Sequence, residues 1–364
     1  MSLGGLVKGM TVYELNIPSE WKAAAEEIAG RKGPVMVIGA PDSGKTTFLR
    51  YLARHLCSCS MHVAWIEGDP GQPFIGPPAV LSLAFFSAQG DILKNRPPLA
   101  MSFVGNTSPV GHLLDMLSGL RRLMDRADLY NPDFILINTC GLVAGGAARE
   151  LKFHEIEILG PRYVIALQRD KEVEHLLSPH AFREGLLIHR LPVPAGVRVT
   201  SREARLAMRE QRFKEYFRKA GFQEVAISDV GVHGPGLKTG DRLGFRDINR
   251  LSKIIQGVVV HAEHAADRLF LIIDGDYAEE ELYTARQDYN VREVVVLKTS
   301  ELDHLLIGLG NDQNLCLGLG IIRGFDIREQ TIKVITPLKD IAPVRTVTFG
   351  SLRVSPAGTE IGRW

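Results

Sequence analysis

Gly39-Ala-Pro-Asp-Ser-Gly-Lys-Thr46 comes directly after the apolar run Pro34-Val-Met-Val-Ile38 and directly before Thr47-Phe-Leu-Arg-Tyr-Leu-Ala-Arg-His-Leu56. A strand, a glycine-rich turn and a helix start are the three parts of a phosphate-binding loop, because convergent backbone N–H groups and the positive end of a helix dipole both favour anionic oxygens. Gly39 and Gly44 permit close approaches that a side chain would block. Lys45 can reach the β- and γ-phosphates, and Thr46 offers a hydroxyl to magnesium. Phe48, Leu49, Leu52 and Leu56 follow at helical spacing. Gly39, Ala40, Pro41, Asp42, Ser43, Gly44, Lys45, Thr46 and Thr47 are therefore expected to hold a nucleoside triphosphate.

Working outward, apolar runs alternate with helical patterns between residues 34 and 190. Strands are expected at 34–39, 62–66, 80–86, 99–104, 134–137, 163–167 and 186–189, with helices at 44–57, 110–126, 149–159 and 171–178. That alternation predicts a doubly wound, mainly parallel α/β sheet with helices on both faces and its ligand beyond the carboxyl ends of the strands. From about Phe222 the texture changes to short apolar runs separated by Gly, Asp and Asn: 254–260, 269–273, 294–297, 305–309, 315–322, 332–335 and 344–349. These predict a smaller, mostly antiparallel β domain. The expected organisation is a short N-terminal segment (1–33), a P-loop domain (34–222) with a basic lid helix near 201–219, and a C-terminal β-rich domain (223–364).

With 364 residues and 45% hydrophobic content, the chain can bury full cores in two domains. Its formal net charge of +1 gives no overall field that would attract nucleic acid, so such a partner needs a local basic patch. Arg198 to Lys219 supplies one, with Arg198, Arg202, Arg205, Arg209, Arg212, Lys214, Arg218 and Lys219 set against three glutamates. Its first five arginines are spaced to line one helical face, and arginine forks suit phosphate oxygens. Cys57, Cys59, Cys140 and Cys316 form no C-x-x-C pair, which points to a reducing cytoplasm. No run suits a membrane span and no secretion signal opens the sequence.

The second expected strand ends Glu67-Gly-Asp-Pro-Gly-Gln72. Glu67 and Asp69 can project toward the γ-phosphate and its metal there, where a carboxylate orients a metal-bound water or accepts a proton from an attacking hydroxyl. Asp-Pro-Gly is also ordinary turn chemistry. A later strand ends Asn138-Thr-Cys-Gly141, with an amide where ordinary triphosphatases carry a magnesium-holding aspartate, which shifts the acidic duty toward Asp69. Gln168-Arg-Asp-Lys171 is not the Asn-Lys-x-Asp sequence that reads guanine, so base selectivity stays open. The Gly-rich stretch 231–240 reads as a loop rather than a second phosphate site. His261 and His264 read as surface or hydrogen-bonded residues rather than metal ligands, and Asp274-Gly-Asp276 as a turn.

Together these stretches resemble the polynucleotide 5′-hydroxyl kinase family of RNA 3′-end processing, tRNA splicing and ribosomal RNA maturation, within the P-loop NTPases. The matching pieces are Gly39 to Thr47, Glu67 to Gln72, Gly105-Asn-Thr-Ser-Pro109, Asn138 to Gly141, and Arg205 to Phe217, with Leu306 to Gly350 similar to that family's distal β domain. The resemblance implies ATP, with other triphosphates left open, and Mg2+ as cofactors. It implies a nucleic acid with a 5′-OH end as acceptor, RNA favoured over DNA, and RNA-processing protein partners. By the same resemblance Lys45, Asp69, Arg205 and Arg209 are catalytic, and Thr46, Asp69 and Glu67 hold the metal. Gln72, Thr107, Ser108, Thr139, Gly141, Arg202 and Arg212 touch the substrate. Two departures stand out. Leu142 replaces a usual tryptophan after the N-T-C-G glycine, and Leu206 replaces a second arginine beside Arg205. They keep a second reading open, an ATP-binding RNA- or protein-interaction module with little turnover, and a small-molecule kinase stands third.

Overall fold

A computed structural model describes residues 17–87, 97–197, 199–234, 236–326 and 329–364; Arg198 and the opening Met-Ser-Leu-Gly-Gly lie outside them. The chain divides into two units. The first comprises Met1–Gly76, Val80–Ser102 and Ser108–Arg205, the second Pro77–Ala79, Phe103–Thr107 and Leu206–Trp364.

In the first unit, β1 (Gly33–Gly39) is flanked by β5 (Phe134–Thr139) and β6 (Tyr163–Gln168), both parallel to it. Val35 to Ile38 are fully buried, as expected of a central parallel strand covered on both faces. β2 (Val63–Gly68), β3 (Val80–Phe86), β4 (Ala100–Phe103) and β7 (Leu187–Pro192) complete a seven-stranded sheet ordered β4-β3-β2-β5-β1-β6-β7. Among the described registers β2–β3 is antiparallel and the other pairs are parallel, so the sheet is mainly parallel as expected. β5 lies between β2 and β1, with Glu67 opposite Asn138 in the register. The carboxylates after β2 therefore stand one strand further from the phosphate loop than Asn138 does.

Helices α2 (Lys45–Ser58), α3 (Leu113–Asp128), α4 (Gly146–Leu159) and the short α5 (Glu174–Leu177) follow the strands. α2 buries Phe48, Leu49, Leu52 and Leu56, the stripe read from the sequence. Another helix was not anticipated. α1 (Ser19–Ala29) precedes the first strand and buries Trp21, Ala24, Ala25 and Ile28, whose i, i+3, i+4, i+7 spacing is itself a helical signal. Trp21 packs edge-on to Phe48, with ring centroids 5.2 Å apart, and its indole N–H donates to the Pro192 carbonyl at 3.1 Å.

α6 (Arg202–Phe217) begins in the first unit and continues into the second, where Phe213 and Phe217 are buried. The second unit carries β8 (Gly221–Ala226), β9 (Gly231–His233), β14 (Leu305–Gly310), β15 (Cys316–Asp326), β16 (Thr331–Thr336), β17 (Thr346–Val354) and β18 (Glu360–Arg363) in one sheet. A four-stranded sheet holds β10 (Asp241–Arg242), β11 (Val258–Ala265), β12 (Arg268–Asp274) and β13 (Glu293–Lys298). Pairing is mostly antiparallel, with β12–β13 and β9–β17 parallel. The strand expected at 254–260 is a helix end and a later strand start instead. α7 (Phe245–Ile254) buries Leu251 ahead of β11, because one apolar run serves both elements. α8 (Leu282–Asp288) and α9 (Thr299–Leu302) complete the unit.

Trp21→Ala should destabilise the protein by about 3–5 kcal/mol, the range for truncating a large buried aromatic. Urea or guanidinium unfolding of the variant against the parent measures it.

Candidate active site

The phosphate loop lies where β1 meets α2, and α1 props it from below. Gly44 is left-handed (φ 90°), and a Cβ placed there would lie 3.4 Å from the Trp21 ring. Lys45 is buried and donates from Nζ to the Gly39 and Ala40 carbonyls, both at 2.9 Å. Burial pushes its ammonium down to about 8, partly opposed by the charge of Asp69. An ammonium in a pocket of backbone carbonyls, at the start of a helix, is a ready partner for phosphate oxygens.

Asp69 follows β2. Its Oδ1 accepts the Gly71 and Gln72 N–H groups at 2.9 and 3.0 Å, so the turn reading of Asp-Pro-Gly is correct locally. The same bonds fix the carboxylate, and Oδ2 has no hydrogen bond among the described residues. Orientation and availability thus coexist in one half-buried group.

Two of the expected roles need correction. Glu67 is fully buried and turned inward, not toward the phosphates. Its oxygens accept the Asn138 amide at 2.7 Å, the Phe74 N–H at 3.0 Å, the Asp69 N–H at 3.3 Å and the Trp65 indole at 3.4 Å. Burial, then the neighbouring Asp69 charge, push its carboxyl up to about 8. A group so enclosed supports Asn138 instead of ligating a metal. Thr139 is likewise buried, its hydroxyl donating to the Val37 carbonyl at 2.7 Å, so it ties β5 to β1 and does not reach a substrate. Gln72 directs its amide to the Arg205 carbonyl at 3.3 Å, supporting α6.

Asn138 donates to Thr46 Oγ1 at 3.3 Å, and its own Oδ1 is buried without a partner. That orphan acceptor beside the Thr46 hydroxyl suits the hydrated shell of a magnesium ion held chiefly by phosphate oxygens. Among the described residues no group of three or more His, Cys, Asp or Glu side chains is arranged as a metal cage. Gly141 abuts the loop itself, since a Cβ there would come 2.9 Å from both the ring and the backbone nitrogen of Pro41. Beneath it Lys152 and Glu155 form a fully buried ion pair at 2.8 Å, with Lys152 also 3.5 Å from Cys140 Sγ. Neither was singled out in the sequence, where both look like solvated positions of α4.

The expected lid arginines differ from one another. In the first unit Arg205 donates from Nη2 to Asp42 of the phosphate loop at 2.6 Å. In the second, Arg209 is committed to a carboxylate, its Nε and Nη2 lying 2.5 and 3.2 Å from the oxygens of Glu360. Arg202 is exposed and Arg212 half-buried. Ser108 belongs to the first unit and Thr107 to the second, where Asn106 donates to Ser351 at 2.7 Å and Gly105 accepts the Ser351 N–H at 3.0 Å. In the Gly-rich stretch the N–H groups of Lys238, Thr239 and Gly240 all donate to Glu263, so these three are not available to a phosphate. His261 bonds the same carboxylate at 2.8 Å and His264 lies 3.3 Å from the Tyr289 carbonyl, both hydrogen-bonded as read.

Residues 39–219 match the family described as mRNA cleavage and polyadenylation factor CLP1 P-loop. Over 95% of its length the chain is 33% identical to a polyribonucleotide 5′-hydroxyl-kinase of Pyrococcus furiosus, covering 95% of that protein. It is 28% identical to another of Methanocaldococcus jannaschii, over 96% of this chain and 95% of that one. Among solved structures, wild-type Clp1p in complex with Pcf11p has a similar fold, with a TM-score of 0.55 and 16% identity over 91% of this chain and 77% of that one.

Gly141→Ala should weaken ATP binding by at least about tenfold, because relieving the contact moves Pro41 and the N–H groups around it. Titration calorimetry with ATP checks this. The pH dependence follows from two groups. Lys45 loses its positive charge, and Glu67 gains a negative one, as pH rises through about 8. Both changes disfavour an incoming polyanion, so ATP affinity should fall above pH 8 and binding there should take up protons. Calorimetry in buffers of different ionisation enthalpy reads that uptake directly.

Proposed function

The chain belongs to the polyribonucleotide 5′-hydroxyl-kinase family that carries the CLP1-type P-loop, and from that premise we propose that it transfers the γ-phosphoryl group of ATP to the 5′-hydroxyl of RNA. The observation that carries the catalytic part is the state of Asp69, locked through Oδ1 by its own turn with Oδ2 open, in electrostatic reach of Lys45.

In the reaction the 5′ oxygen forms a bond to the γ-phosphorus while the bond from that phosphorus to the β,γ-bridging oxygen breaks, leaving ADP. Asp69 accepts the hydroxyl proton through Oδ2 and orients the nucleophile. Lys45 and the loop N–H groups hold the β- and γ-phosphates, and Arg205 meets the equatorial oxygens of the transferred group. Thr46 and Asn138 would hold magnesium, directly and through water; when bound, it neutralises charge on the β and γ groups. Most of the acceleration comes from positioning. Gly141 and Ser108, with Arg202, are assigned to the RNA end, and Leu142 in place of an indole removes one stacking surface for a base.

Among the described residues no helix is long and apolar enough to cross a membrane, and none of the four cysteines forms a disulfide. Both fit action in the cytoplasm. RNA is preferred over DNA in this reading, and RNA-processing proteins are its natural partners.

Asp69→Asn keeps the turn shape but removes the base. With labelled ATP and a 5′-hydroxyl oligoribonucleotide, kcat should fall by roughly 10²- to 10⁴-fold, the range for losing general-base assistance. Lys45→Ala should abolish detectable transfer. Equal labelling by parent and both variants would refute the assignment, and label moving faster to a nucleoside or sugar than to RNA would redirect it to a small acceptor.

A further inference from the structure

A carboxylate in a phosphate-binding loop is electrostatically misplaced, since it faces a ligand carrying several negative charges. Asp42 occupies such a position, the fourth residue of Gly39-Ala-Pro-Asp-Ser-Gly-Lys-Thr46, with a left-handed backbone (φ 55°) that a non-glycine residue adopts at a cost. Both oddities call for a compensating contact. The structure supplies several. Asp42 Oδ2 accepts the Thr200 N–H at 2.7 Å and the Arg205 Nη2 at 2.6 Å, and Oδ1 accepts the Thr200 hydroxyl at 3.2 Å. Its backbone carbonyl accepts Arg169 Nη2 at 2.8 Å. Partial burial raises the Asp42 carboxyl, but the Thr200 hydrogen bond and the bond and charge of Arg205 outweigh it and hold the group below the usual carboxylate range, fully ionised at neutral pH.

The Arg205 side of the pair is built with equal care. The Arg205 N–H donates to the Ser201 carbonyl at 3.0 Å within the first turn of α6, and its carbonyl accepts the Gln72 amide at 3.3 Å. Gln72 is itself tied to Asp69 Oδ1 through its N–H. Only Nη2 of the guanidinium is used by Asp42. Nε and Nη1 make no hydrogen bond among the described residues, and the side chain is 27% exposed. A guanidinium carries five N–H donors in a fixed plane, so holding one nitrogen sets the direction of the others.

We propose that Asp42 is the positioning residue for Arg205: anchored on Thr200, its carboxylate holds the guanidinium at the edge of the phosphate loop with Nε and Nη1 left to meet the transferred phosphoryl group. This deepens the kinase reading and rests on it. The repulsion between Asp42 and ATP is cancelled by the cation it positions, so the loop gains an oriented arginine with little loss of nucleotide affinity.

The test separates this from a merely structural salt bridge. Asp42→Asn keeps the size and the Thr200 contact while removing the charge; kcat for 5′-phosphorylation should fall about 10- to 100-fold, the scale of a small misplacement at a reacting centre, with the KM for ATP unchanged or lower. On an Arg205→Ala background the same substitution should change kcat by less than about twofold, because the two residues act as one unit. A kcat within twofold of the parent, a raised kcat, or a full loss persisting without Arg205 would each overturn the proposal. Tryptic cleavage after Arg202 and Arg205 needs no turnover, and it should speed up several-fold in Asp42→Asn with cleavage elsewhere unchanged. If the parent transfers no phosphate, the kinase reading fails on that result, and unchanged tryptic rates then refute the positioning contact separately.

Discussion

A triphosphate can be held only where many N–H dipoles converge, and converging them strains a loop that has little side-chain packing of its own. Rigidity must come from outside. Here the loop between β1 and α2 is braced by the Trp21 ring under Gly44, by Gly141 against Pro41, and by Thr200 and Arg205 on Asp42. Each brace comes from a different part of the chain, and each acts on backbone atoms or on a side chain whose sole partners are in the brace. The buried β1 strand is the foundation these contacts share, because its carboxyl end fixes the height at which the loop emerges. Catalysis by phosphoryl transfer depends on that fixity more than on any reactive group, since a loose transition state asks for placement and charge in place of covalent help.

How much of this was legible in the sequence depends on range. Local signals did well. The phosphate loop, the α2 stripe and the turn at Asp69 are each set by residues within a few positions of one another, and their chemistry is written in glycine, lysine and carboxylate placement. What was hidden is where a polar side chain points once its strand has neighbours. Glu67 and Thr139 look available in a linear reading, yet the register of β2 against β5 and of β5 against β1 turns both inward onto partners 71 and 102 residues away. Lys152 and Glu155 read as exposed helix positions for the same reason; only packing reveals that they neutralise each other beneath Cys140. α1 is a different case. Its apolar spacing was visible, but two of the four positions are alanines, which add little to a hydrophobic pattern.

The replacement of the usual metal-holding aspartate by Asn138 becomes intelligible with Glu67 behind it. An aspartate at 138 would stand 2.7 Å from the Glu67 carboxyl in a fully buried setting, where two like charges cannot both persist. The amide resolves that conflict by donating to Glu67 and to Thr46 from one nitrogen. The open carboxylate of the set is Asp69, whose turn holds Oδ1 and leaves Oδ2 without a hydrogen bond among the described residues. Amide, buried acid and open carboxylate form one arrangement, and altering any of them changes the charge felt at Lys45.

The basic face of α6 also has to be read unevenly. Arg202, Arg205, Arg209 and Arg212 at helical spacing suggest a continuous phosphate-binding stripe, but Arg209 sits between two carboxylate oxygens of Glu360 at low exposure, so its cation is already matched. Withdrawing it toward a phosphate would leave the largely shielded Glu360 carboxylate without its cation, an unfavourable exchange. Arg205 faces no such cost, because Asp42 holds one nitrogen and leaves the rest of the fork unengaged. The two arginines, one helical turn apart, therefore differ: Arg209 fastens the helix to β18, and Arg205 keeps most of its guanidinium unengaged.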